Sequence, residues 1–123
     1  MTAVTPRRSA LYMPGSNARA LEKARAIPAD ALILDLEDAV APDAKDLARK
    51  QVTEAVAAKS FGYREIAIRI NGLATPWGAE DLKAVAASGA AAMLVPKVNS
   101  AEEAAALSKA LDEAGAPPEL KLW

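Results

Sequence analysis

The sequence predicts an α/β fold, the N-terminal half of a TIM-type (β/α)8 barrel, and three observations carry that prediction. Helical patterns alternate with short apolar runs at a period of about 25 to 30 residues, the mark of parallel strand–helix units. Each well-defined strand has one uniformly apolar face and one that turns polar toward its C-terminal end, as in a barrel whose outside packs on helices and whose inside opens into a site. The 123 residues then hold about four and a half units, where a complete barrel takes ~250 residues. An open doubly wound sheet shares the alternation, and the strand faces favour the barrel.

The first strand runs from Ser9 to Met13 and is broken by Pro14-Gly15-Ser16, with Ser16 as cap of a helix through Leu21, Ala24 and Arg25. The second covers Ala31 to Leu36. A long helix follows from Pro42, where a missing N–H costs nothing, with apolar positions Leu47, Ala48, Val52, Ala55 and Val56. The third strand, Glu65 to Ile70, closes at Asn71-Gly72, and Thr75-Pro76 caps and opens the next helix. Ala91 to Val95 is the fourth strand. Ser100 and Glu103 form a capping box on a helix ending near Gly115, and Leu120 to Trp123 begins a fifth strand after Pro117-Pro118. No linker divides these elements, so residues 1–123 are expected to be a single partial barrel domain, cut within strand five.

Composition narrows the chemistry. There is no cysteine and no histidine, which excludes disulfides, thiol nucleophiles, Cys/His zinc sites and Ser-His-Asp arrangements within these residues. Carboxylates, Arg and Lys must carry any reaction. A net charge of −1 offers no broad basic field for nucleic acid or an anionic membrane. No stretch reaches the roughly 20 apolar residues that span a bilayer, and Met1 to Arg8 lacks an apolar leader core. A cytoplasmic protein with a small-molecule partner is expected.

Alternation places Leu32, Leu34 and Leu36 on one face of strand two and Ile33, Asp35 and Glu37 on the other. In strand three, Ile66, Ile68 and Ile70 oppose Ala67, Arg69 and Asn71. Glu37, Arg69 and Lys97 therefore converge on one mouth at the C-terminal strand ends, where parallel α/β folds build their sites. The same convergence also fits a buried ion-pair network. Arg69 offers a planar fork for a carboxylate or enolate oxygen. Lys97 can bind an anion or form an ion pair. Asp38 turns into the loop and is not equivalent to Glu37, while Asp35, deeper on the inner face, is expected to pair with an inward arginine. The Pro14-Gly15-Ser16-Asn17 turn, with Arg19 and Lys23 on the following helix, offers a local anion site. Tyr12 and Trp77 lie near the rim, where they either stack on a base or pack.

Four motifs in order, Arg8-Ser9 through Pro14-Gly15-Ser16, Leu34-Asp35-Leu36-Glu37-Asp38-Ala39-Val40-Ala41-Pro42, Arg69-Ile70-Asn71-Gly72-Leu73 and Leu94-Val95-Pro96-Lys97-Val98, carry a resemblance to a known family. The chain resembles the citrate lyase β-subunit-like branch of the HpcH/HpaI aldolase superfamily, which includes malyl-CoA, citramalyl-CoA and citryl lyases. The resemblance implies a Mg²⁺-dependent barrel that cleaves or forms a carbon–carbon bond between a 2-oxo acid and the enolate of a CoA or acyl-carrier thioester.

By that resemblance Glu37, Asp38 and Arg69 are catalytic, Arg69 holding substrate oxygens and the two acids organising metal-bound water. Tyr12 and Lys23 fall where relatives contact the CoA nucleotide, and Lys97 joins the substrate-binding set. Asn17 replaces a family arginine there, leaving Arg19 as the substitute. The two metal-ligating carboxylates come from strands five and six, so no metal ligand is expected in this chain. Taken alone it should bind Mg²⁺ poorly and be inactive. The resemblance also implies a homo-oligomer, a trimer or hexamer. Two other readings stay open: a class II pyruvate aldolase that does not use CoA, and a non-catalytic binding or assembly subunit on the same scaffold.

Overall fold

The computed structural model describes residues 6–123, so the expected lack of an apolar leader falls in part outside the described residues. The elements are β1 (Ala10–Pro14), α1 (Ala18–Ala24), β2 (Ala31–Asp35), a 3-10 turn (Pro42–Ala44) leading into α2 (Lys45–Ala57), β3 (Glu65–Arg69), α3 (Gly78–Ala86), β4 (Ala92–Leu94), α4 (Ala101–Glu113) and β5 (Lys121–Leu122). All neighbouring strands pair in parallel, in the order β1-β2-β3-β4-β5. A doubly wound sheet reverses its strand order at a switch point. This one never reverses, which makes it part of a barrel wall.

The two strand faces have different partners. Leu32, Leu34, Leu36, Ile66, Ile68, Ile70 and Met93 share one core with Val52 and Val56 of α2, Leu82 and Val85 of α3 and Leu111 of α4. Each such side chain contributes roughly 1.5–3 kcal/mol on burial. On the opposite face Ile33, Ala67 and Ala92 pack together, with Leu94 and Trp123 against them. The faces are those the alternation predicts.

Local chemistry departs from expectation at several ends. Asn17, not Ser16, caps α1, its side chain accepting from the Ala20 N–H at 3.0 Å. Thr75 caps nothing: its hydroxyl donates to the Gly72 carbonyl, and α3 starts later, at Gly78. Ser100 does cap α4, but the Glu103 carboxylate reaches past it to the Asn99 N–H, so the box is displaced by one residue. Leu47 is 53% exposed. The buried stripe of α2 is Lys45, Ala48, Val52 and Val56, with Ala55 partly buried beside it, so the apolar residues give the right phase and only Leu47 falls outside it.

Gly15 is required by close approach. A β-carbon there would stand 2.6 Å from the Asp35 carbonyl oxygen and 2.7 Å from Val52 Cγ2. The Gly15 N–H also donates to that carbonyl, and Gln51 donates to the Gly15 carbonyl, so the contact cannot slide. Gly15→Ala should lower stability by about 1–3 kcal/mol through overpacking, read as a lower urea midpoint with an unchanged slope.

Candidate active site at the C-terminal mouth

The site grows from the register of β2 and β3, which sets Asp35 beside Arg69. Both point to the inner face. Asp35 is fully buried and takes both arms of one edge of the guanidinium, Nε to Oδ1 and Nη2 to Oδ2, each at 2.8 Å. The same carboxylate accepts from the N–H groups of Glu37 and Ala39, both at 2.9 Å, and so shapes the turn after β2. Burial pushes the Asp35 carboxyl up, but the Arg69 hydrogen bonds and the two backbone donors outweigh it and leave the group below its ordinary range. Hydrogen bonds to Asp35 raise Arg69 above the usual guanidinium value despite partial burial. Asp35 is thus the structural partner the sequence predicts.

Arg69 is therefore not a free fork, as its sequence position alone suggests. One edge is engaged by Asp35, and its face lies over the Tyr12 ring at 4.8 Å. What remains is Nη1, 3.5 Å from Glu37 Oε1. That separation is a charge contact and not a hydrogen bond, and Oε1 is buried with no hydrogen-bond partner among the described residues. The other oxygen, Oε2, meets Lys97 Nζ at 3.3 Å. Asp35, Arg69, Glu37 and Lys97 thus form one alternating chain of charges across the mouth.

Lys97 reaches Glu37 from the loop after β4, where its own backbone adopts a left-handed φ of 58°. Such a conformation is uncommon for a residue with a β-carbon. Its head remains largely in solvent, with 77% of the side chain exposed. Asp38 is exposed, lies in the turn, and makes no hydrogen bond or ion pair with any described residue. The twin acids have unlike settings, as expected.

Tyr12 joins this cluster from β1. The structure packs it beneath Arg69, half exposed. Lys23 does not join: it is exposed in the last turn of α1, at the end of that helix farther from the mouth. With Asn17 capping α1 and Gly15 fixed by packing, the Pro14–Asn17 turn has a structural explanation.

A second, buried polar network lies behind the acidic turn. Lys45, 7% exposed, donates to the carbonyls of Leu36 at 3.0 Å and Glu37 at 2.7 Å, and its ammonium stands 5.2 Å from the centre of the Trp77 ring. Trp77 thus packs on a cation. Asn71, expected on the inner face, instead turns toward α3: its side chain donates to Leu36 O and to Asp81, which also accepts from Arg49. The strand has ended at Arg69, so alternation no longer governs Asn71. Sequence patterns single out none of Lys45, Asp81 and Arg49, and they assign Asn71 to the other face. A signal existed, because Lys45 and Asp81 both fall in phase with the buried stripes of their helices.

An apolar-walled cleft of about 490 Å³ opens beside Glu37, between Gly72–Thr75, Val95–Val98 and the α4 residues Glu103, Ala106 and Leu107. Its charged lining is Glu37 and Lys97 on the strand side and Glu103 on α4. These groups can bind an anionic oxygen through Arg69 Nη1 and Lys97, and can accept a proton or a hydrogen bond at Glu37. A divalent cation does not fit the described residues by themselves. No three His, Cys, Asp or Glu side chains among them cluster to hold one, and both oxygens of Glu37 face cations.

The family described as HpcH/HpaI aldolase/citrate lyase matches residues 8–117. The (3S)-malyl-CoA thioesterase of Cereibacter sphaeroides strain KD131 is 47% identical over 118 residues, covering 96% of this chain and 39% of that protein. The citrate lyase subunit beta of Escherichia coli K12 is 40% identical over 103 residues, covering 84% of this chain and 34% of its own length. Among solved structures, CitE of Mycobacterium tuberculosis in complex with magnesium, acetoacetate and coenzyme A superposes with a TM-score of 0.68 at 30% identity, over 93% of this chain and 38% of that one. The chain thus spans about two-fifths of the length of these proteins.

Proposed function

The chain belongs to the HpcH/HpaI aldolase/citrate lyase family, and from that premise we propose that it forms the N-terminal part of the barrel of a carbon–carbon lyase acting on a 3-hydroxy-3-carboxyacyl thioester such as malyl-, citramalyl- or citryl-CoA. The observation that carries the reading is the Asp35–Arg69–Glu37–Lys97 charge chain at the strand ends, beside an apolar-walled cleft. The relatives named for citrate lyase and for a malyl-CoA enzyme support a CoA-ester substrate class.

In this reading the bond between the carbinol carbon and the thioester α-carbon breaks. The hydroxyl proton leaves to a base, the bonding electrons pass to the thioester as an enolate, and the α-carbon then takes a proton. The products are a 2-oxo acid and an acyl thioester. Negative charge moves during that step, and preorganised donors are most effective where it develops. Arg69 Nη1 is assigned to a substrate oxygen, held in place by Asp35 on one edge and Tyr12 beneath. Lys97 joins it as a second positive group for substrate binding. Glu37 is assigned to the reacting oxygens as proton acceptor or hydrogen-bond acceptor, with Asp38 in the loop beside it. Tyr12 and Lys23 remain the proposed contacts of the CoA moiety. Magnesium dependence is part of the proposal, with the carboxylate ligands expected from residues after Trp123.

Hydrolysis is the second reading, favoured by the 47% identity with a malyl-CoA thioesterase. Product analysis with malyl-CoA separates them. Lysis yields glyoxylate and acetyl-CoA with no free thiol, whereas hydrolysis yields malate and free CoA. The lyase reading expects the first pair from the enzyme carrying this sequence, and free thiol without oxo acid would sink it. Absence of CoA binding in a titration would point instead to a pyruvate aldolase, or to a subunit without catalysis.

A further inference from the structure

The buried network behind Glu37 replaces a missing piece of sheet. In a parallel pair the ladder continues through evenly spaced N–H to carbonyl bonds. After Asp35 and Arg69 it makes one more, from the Leu36 N–H to the Arg69 carbonyl at 2.9 Å. The next donor, the Asn71 N–H, turns away to Asp81 at 3.0 Å. The Leu36 carbonyl is left without its strand partner. Two side chains take that place, Lys45 Nζ and Asn71 Nδ2. Lys45 also holds the next carbonyl, that of Glu37.

Lys45 is an unusual choice for that task. It is 7% exposed and forms no ion pair with any described residue. Burying an ammonium without a counter-ion is costly unless its donors are satisfied. Here two carbonyls accept from the ammonium, and the Trp77 ring faces its charge at 5.2 Å. A neutral side chain of similar length would avoid the desolvation, but it would leave the Glu37 carbonyl with only the Val40 N–H that closes the turn.

We propose that Lys45 is a positioning residue: its ammonium clamps the Leu36 and Glu37 carbonyls where the β2–β3 ladder parts, and thereby aims the Glu37 carboxylate at Arg69 and Lys97. The role in turnover rests on the lyase reading of Glu37, while the clamp itself does not. Asn71 shares the Leu36 carbonyl, and Asp81, held by Arg49, fixes Asn71. The packing of α2 and α3 is thus tied to the aim of one carboxylate.

Amide hydrogen exchange tests the clamp without any activity. In Lys45→Met, exchange at Glu37, Ala39 and Val40 should accelerate about tenfold or more, while Ile68 and Met93 in the neighbouring strands change by less than about twofold. Lys45→Arg, which keeps a cation and donors, should recover part of that protection. Unchanged exchange at the turn, or equal acceleration across the sheet, overturns the proposal. If Lys45→Met does not fold, the wild-type chain provides the measurement: Lys45 Nζ protons should exchange slowly and couple to the Leu36 and Glu37 carbonyl carbons, and a freely exchanging ammonium overturns the clamp. In the active enzyme, kcat of Lys45→Met should fall about tenfold with KM nearly unchanged. Local loosening with wild-type kcat would overturn the role in turnover. An enzyme that cleaves no thioester even as wild type would sink the lyase reading while the exchange result stands.

Discussion

In an active enzyme carrying this sequence, Arg69→Lys lowers kcat by about 10²–10³-fold, the loss typical of one preorganised oxyanion donor. Charge is not the reason, since lysine keeps it. The guanidinium does two things at once: its Nε and Nη2 edge is bound to Asp35 at 2.8 Å, and Nη1 is left facing Glu37. A single ammonium cannot hold a bidentate carboxylate and still present a donor on its far side. Steady-state kinetics on a variant shown by circular dichroism to be folded checks this. Wild-type turnover would mean that Arg69 serves only the fold.

Asp35→Ala is expected to be the most destabilising substitution at the mouth, by about 3–5 kcal/mol, because it removes one partner of a buried ion pair. It leaves Arg69 beside an empty space and the N–H groups of Glu37 and Ala39 without acceptors. Chemical denaturation of variant against wild type measures the loss. Its pH dependence follows from the direction of the Asp35 shift. The folded carboxyl lies below its ordinary value, so its contribution is fully present above the unfolded value of about 3.9. It is lost as the pH falls from there through the lower folded value. The gap between wild type and Asp35→Asn should therefore be constant near neutrality and close in acid. A gap that widened below pH ~4 would contradict the assigned shift.

Much of this site was legible because strand alternation is strict. A period of two residues puts Asp35 and Arg69 on the inner face, and chain order at the strand ends brings Glu37 and Lys97 to the same mouth. Where regular structure stopped, so did legibility. Asn71 lies two residues past β3 and turns away from the face that alternation assigns it. Ser16 and Thr75 are both good caps by residue type, yet Asn17 and a later helix start prevailed, because turn geometry decides which side chain reaches an N–H. The family resemblance pairs Lys23 and Tyr12 as contacts of the CoA nucleotide. The structure separates them, one in solvent on α1 and one under a guanidinium.

By itself the sequence determined the element order, the apolar and polar strand faces and the short roster of charged residues able to act, all of which depend on local period and composition. Only the tertiary structure decided what those residues are free to do. It fixed the sheet order without reversal, which separates a barrel wall from a doubly wound sheet. It bound one edge of Arg69 to Asp35 and left the other facing Glu37. It also buried a lysine behind the acidic turn. The physical reason is that a donor's availability depends on which partners, distant in sequence, reach it first, and those partners meet only when the strands and helices have packed.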